Sequence, residues 1–146
     1  MLNTFVKIHV EVVEVKLLYI GAAGALGSIA RYLVSSLAVT WWGTSFGFGT
    51  LIVNVVGSFL VGLIMQIGLG TDLISPTTRL VLTVGILGGF TTYSSFNYET
   101  VSYFQEGELA KAFMNVCVML LLCFLAGILG VMLGELFIKN WRILDL

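Results

Sequence analysis

Between Gly85 and Glu99 the chain reads GILGGFTTYSSFNYE. Two hydroxyl pairs (Thr91 with Thr92, Ser94 with Ser95), the amide of Asn97, the carboxyl of Glu99 and the rings of Tyr93 and Phe96 lie here inside apolar sequence long enough to cross a membrane. Hydrocarbon satisfies none of those polar groups, so protein, water or an ion must do so. Tyr93 and Phe96 are three apart and share a helix face. An aromatic ring has a negative face and a positive edge, so edges turned into a narrow path favour a small anion without a fixed positive charge. Adjacent Gly88 and Gly89 weaken the helix. If the backbone opens there, Thr91 and Thr92 are the nearest hydroxyls, and freed carbonyls could hold a cation as in the broken helices of transporters. We read this segment as one that breaks its own helix and lines an ion pathway.

A second set precedes it. Thr50, Asn54 and Ser58 are four apart and fall on one helix face, separated by Leu, Ile, Val and Gly, with Phe59 following. The Asn54 amide offers two donors and an acceptor, to serve either an ion or a neighbouring helix. Ser58 is read as interhelical bonding, worth about 0.6 kcal/mol in membrane proteins. Glu99, near the end of its apolar span, is expected in a vestibule, hydrogen-bonded or paired with a base. Arg31 either snorkels to the interface or marks the pore mouth. Enzymatic chemistry finds no support. The only histidine, His9, precedes the apolar spans, so Ser-His-Asp and Cys-His constellations cannot form within them. GGFTT lacks the closing Gly-Lys-Ser/Thr of a phosphate loop.

The elements that would hold these groups are membrane helices. Of 146 residues 58% are hydrophobic and 10% charged, against about 25% charged in soluble domains, and the mean hydropathy is +1.04. With a net charge of -1 and no basic cluster, the chain has nothing for a nucleic-acid backbone to use. Four apolar spans are expected, at roughly 17–41, 46–69, 79–104 and 109–138, each sufficient for the ~20 residues a crossing needs. The third is broken near its middle. Trp41, Trp42 and Trp141 stand where an aromatic belt would be. Gly21, Gly24 and Gly27, the pair Gly85 and Gly89, and the pair Gly130 and Gly134 have the spacing of close helix packing. Cys117 and Cys123, six apart, face opposite ways and are not expected to bond. Residues 1–16 alternate Val6, Ile8, Val10 and Val12 with polar neighbours, a strand-like period. A lone strand has no partner here, so this segment is expected to be a mobile tail or an extension from an upstream start, as residues 139–146 form a C-terminal tail. The first apolar span lacks a clear cleavage site and is expected to stay. Four such helices barely enclose a path, so an oligomer is expected.

GTLIVNVVGSFLVG at 49–62, GGFTTYSSFNYET at 88–100 and GAAGALGSIARYL at 21–33, in a four-span chain of this size, resemble the Fluc (CrcB) fluoride-channel family over about residues 17–138. The resemblance implies an all-α integral protein of the cell's inner (plasma) membrane, an antiparallel dual-topology homodimer with two pathways through which fluoride leaves passively. By match to its motifs, Asn54 would be the pore asparagine and Tyr93 and Phe96 the pore aromatics, with Thr92, Ser94, Ser95, Thr50 and Asn115 along the path and Arg31 and Glu99 at the vestibule. A structural sodium ion would sit at the dimer centre on the backbone carbonyls of Gly88 and Thr91. Tyr93 stands where the family usually has Phe. Asn115 and Met119 stand where its fourth span often has Tyr and Ser, and Met119 cannot donate a hydrogen bond.

Two other classes compete. A proton-coupled exporter like the small multidrug-resistance proteins needs a carboxylate in its first span, and residues 17–41 contain none. A non-transporting membrane scaffold would explain the glycines but not the polarity of 91–99.

Overall fold

The computed structural model describes the backbone of residues 2–144 and the side chains of residues 13–143. Every regular element among them is helical: α1 (Leu2–Trp42), α2 (Phe48–Gly70), α3 (Pro76–Leu80), a π-helical segment (Val81–Leu87), α4 (Gly88–Phe90), α5 (Tyr93–Gln105) and α6 (Leu109–Leu144). Three stretches are long and apolar enough to cross a membrane, Val13–Trp42, Phe48–Gly70 and Leu109–Ile143.

The strand-like alternation of residues 6–12 is carried on helix, since α1 begins at Leu2. A period of two cannot make a strand without a partner edge, and the backbone bonds of a helix are satisfied within the segment. At the other end α6 runs through Leu144, past the expected boundary at residue 138.

Helix ends follow local chemistry. Gly43, with φ 74°, closes α1 as its N–H donates to the Val39 carbonyl at 2.9 Å, a left-handed cap that glycine adopts without strain. Ser75 caps α3 by accepting the Thr78 N–H at 3.1 Å, with Pro76 at the first helical position, where its missing N–H costs nothing.

The helices pack in two pairs. Along α2 and α6 the contacts advance together: Gly62 lies against Gly127, Gly134 against Gln66 and Gly70 against Ile138. The two helices therefore run parallel. Likewise α1 runs parallel to the π segment and α4, with Ala23 against Gly85, Gly24 against Gly89 and Gly27 against Ile86. A methyl group at Gly27 or Gly89 would strike backbone atoms of the facing helix, so these two positions need glycine for the close approach expected of small residues. Gly21 has nothing near it and takes no part.

Candidate functional site

The helix does not open at Gly88 and Gly89, which remain helical in α4, with Gly89 packed on α1. It opens at the two threonines. Thr91 (φ −82°, ψ 158°) and Thr92 (φ −153°, ψ 114°) are extended. Tertiary bonding fixes the position. The Thr92 N–H donates to Asn54 Oδ1 at 2.8 Å, and Asn54 Nδ2 donates to the Thr92 carbonyl at 2.9 Å. One amide thus grips both polar groups of one peptide residue, which a continuous helix would have used internally. Thr92 then caps α5, its Oγ1 accepting the Ser95 N–H at 3.2 Å and meeting the hydroxyls of Ser95 at 3.0 Å and Ser94 at 3.2 Å. Gly57 of α2 allows this approach, since a methyl group there would strike the Thr91 methyl.

The break releases carbonyls. In an unbroken helix Gly88 O would accept from Thr92 N–H and Thr91 O from Ser95 N–H, but both donors are diverted. The two carbonyls implied for sodium are therefore ones that the break sets free. They are hard, uncharged oxygens, a donor type that suits an alkali cation, and one chain supplies two. Arg31, half-buried, reaches inward and donates from Nη1 to the Thr91 carbonyl at 3.4 Å. It stands beside the break, and a carbonyl keeps a second lone pair for another partner.

A side-opening groove of about 570 Å³ runs past the break, lined by Asn54, Ser58, Thr92, Tyr93, Phe96 and Met119 among others. Phe96 is buried while Tyr93 is 75% exposed, and the rings meet edge to face at 5.6 Å. The Asn54 amide also donates to Met119 Sδ at 3.6 Å, a weak acceptor. Ser94 and Asn97 are exposed.

The remaining expected residues lie apart from that groove. Thr50 donates to Glu99 Oε1 at 2.5 Å, and the other carboxylate oxygen is buried with no partner among the described residues. Both line a smaller pocket of about 230 Å³ with Ser35, Gly47 and Tyr103. Of the two expectations for Glu99, the hydrogen bond is the one realised. Asn115 is 1% exposed; its Nδ2 donates to Thr100 Oγ1 at 2.9 Å, and Oδ1 has no partner among the described residues. Thr100 in turn donates to the Phe96 carbonyl at 2.8 Å, so Asn115 reaches the aromatic site only through α5.

Sequence reasoning passed over Ser58 and Cys123 as parts of the groove. The signal was present: Asn115, Met119 and Cys123 are spaced by four on α6, as are Thr50, Asn54 and Ser58 on α2, and two such ladders face each other when the helices run parallel. Cys117 and Cys123 are both free thiols, Cys117 exposed and Cys123 at the groove.

A profile of the family described as "CrcB-like protein, Camphor Resistance (CrcB)" matches residues 18–131. Among curated proteins the chain is 46% identical over 117 residues to a protein of Sorangium cellulosum (strain So ce56), covering 80% of this chain and 92% of that one. It is 43% identical over 120 residues to one of Geobacter sp. (strain M21), covering 82% and 97%. It is 48% identical over 109 residues to one of Geobacter metallireducens (strain ATCC 53774 / DSM 7210 / GS-15), covering 75% and 88%. All three relatives carry the name fluoride-specific ion channel FluC. With a family match across most of its length and relatives of this identity, the chain belongs to the CrcB-like family.

Proposed function

We propose that this protein is a fluoride-selective channel of the cell's plasma membrane, and not an enzyme, through which fluoride leaves the cytoplasm passively. The observation that carries this reading is the groove at the helix break, where an amide, hydroxyls and aromatic rings converge and no lining residue is charged. The name of the curated relatives supports it. Fluoride gives up water only where close donors replace it. The second N–H of Asn54 is spent on a thioether at 3.6 Å, and an anion in the groove would be a far better acceptor. The Phe96 ring lines the same space, and its edge, if turned inward, would favour the anion.

Four crossings are consistent with the helix directions. With α2 parallel to α6, a return across the membrane between them would fall to Pro76–Gln105. The groove opens on the side of the molecule, next to exposed Tyr93, Leu120 and Phe124. A second copy, inserted antiparallel, would close it and complete two pathways. Gly88 and Thr91 carbonyls from both copies would then offer a structural sodium ion four oxygens, and the ion would lock the two breaks together.

The test is efflux from liposomes loaded with fluoride or with chloride, followed with ion-selective electrodes. Fluoride is expected to leave far faster. Equal efflux of the two halides would end the selectivity claim.

The two rings should respond differently to substitution. Tyr93 stands mostly outside the packed interior, so Tyr93→Phe is expected to conduct about as well as the parent, measured in the same assay. Loss of flux would make the phenol part of the path. Phe96→Leu keeps an apolar side chain but removes the ring edge, and a reduced fluoride flux is expected with the dimer intact. Undiminished flux would remove the aromatic role.

A further inference from the structure

Two sulfur atoms line the groove on one face of α6. Cys123 Sγ and Met119 Sδ, four residues apart, lie 3.7 Å from each other in S–H···S contact. The Met119 side chain is 4% exposed, and its sulfur also receives the Asn54 amide. Cys123 remains partly accessible from the groove. Hydroxyls or aliphatic groups would fill the space equally well, whereas thiolate with thioether is the donor pair that selects soft monovalent cations such as Cu(I) and Ag(I). Two metal–sulfur bonds of about 2.3 Å each span the observed separation at a bent angle of roughly 107°. Methionine has the freedom to open that angle. Ser58 lines the same groove.

We propose that Cys123 and Met119 form a soft-metal site in the wall of the groove, and that a bound d10 monovalent cation obstructs the path beside Asn54. Binding is a ligand exchange: the Cys123 S–H bond breaks, Sγ bonds the metal, the proton passes to water, and Met119 Sδ donates a lone pair without change in oxidation state. The cation takes up the sulfur that Asn54 Nδ2 now bonds, so it alters the asparagine as well as narrowing the groove. The blocking half of this proposal rests on the channel reading; the binding half does not.

Silver ion in chloride-free buffer is the probe, applied to the purified full chain carrying Cys117→Ser so that one thiol remains. Equilibrium dialysis is expected to give one tightly bound silver per chain. Met119→Leu, a volume-conserving change, should weaken binding by about tenfold or more while the thiol stays in place. Cys123→Ser should remove the tight site. In liposomes, silver should slow fluoride efflux of the Cys117→Ser protein, and each further variant is compared with its own silver-free rate, with inhibition falling in step with the loss of binding. Unchanged silver affinity in Met119→Leu would reduce the site to a single thiol and overturn the proposal. Silver bound as expected with undiminished efflux would overturn the blocking half. A protein that binds silver through both sulfurs but passes no fluoride even without silver would leave the metal site standing and remove the channel reading instead.

Discussion

Asn54→Ala should lower fluoride flux by roughly thirtyfold or more. The substitution strips two hydrogen bonds from Thr92, a residue only 7% exposed. A buried backbone group left unsatisfied costs about 1–3 kcal/mol, so two lost partners cost at least about 2 kcal/mol of the open-break geometry, and each 1.4 kcal/mol is a factor of ten in population. The segment has an alternative that hides these groups, a continuous helix through Thr91 and Thr92, in which the carbonyls of Gly88 and Thr91 would be taken back. The same side chain is also the amide that would touch the ion. Two measurements separate those roles. Hydrogen exchange at the Thr92 N–H reports the grip on the break, and dimer elution in detergent reports the assembly. Lost flux with slow exchange preserved would assign Asn54 to the ion; lost flux with fast exchange would assign it to the break. A variant conducting at the parent rate would leave it neither role.

That dual duty explains what could and could not be read from the residues alone. The polarity of 91–99 was legible because hydrocarbon tolerates such groups only where something else satisfies them. The helix break was legible for the same reason, but its position was not. Adjacent glycines suggest local weakness at Gly88, yet both stay helical and Gly89 is needed where α4 meets α1, and the opening falls at Thr91 and Thr92 because Asn54, 38 residues away in sequence, replaces the helical partners there. Local propensity carries no information about such a bond. The helix lengths erred at the aqueous ends. Hydropathy falls off at Lys16 and Lys139, but lysine is a good helix former, so α1 and α6 continue beyond the apolar spans. The π-helical turn at Val81–Leu87 left no trace in composition. Arg31 was assigned to a mouth or an interface on charge alone, whereas the released carbonyl of Thr91 draws it inward, a partner that exists only once the break does.

Arg31 also bears on how the chain sits in the membrane, where we expect insertion in both orientations. With the four crossings proposed, the N-terminus, the connector from α2 into α3 and the C-terminus would share one side. Lys7, Lys16, Arg79, Lys139 and Arg142 belong to it, and Lys111 belongs to the other. Arg31 is bonded at the break, so it adds little to either interface. Lys111 lies over the Tyr103 ring at 5.4 Å from its centroid, a contact that keeps its charge close to the helices on that side. Positive residues tend to remain cytoplasmic, so the count taken alone favours both termini inside. Arg79 donates from its guanidinium to the Gly68 carbonyl at the end of α2, a bond to a neutral group that leaves its charge in that count. Against that bias stands the open groove, which the proposed antiparallel copy would close by presenting the same face, and the pair of freed carbonyls, which would need its duplicate to surround a cation. The measurement uses single cysteines placed at either end, with Cys117 and Cys123 replaced, and an impermeant thiol reagent on intact cells. Labelling of each terminus in about half of the molecules is expected for a chain inserting both ways. Complete protection of both ends would establish one orientation, and the groove would then have to be closed by a different, oppositely oriented chain.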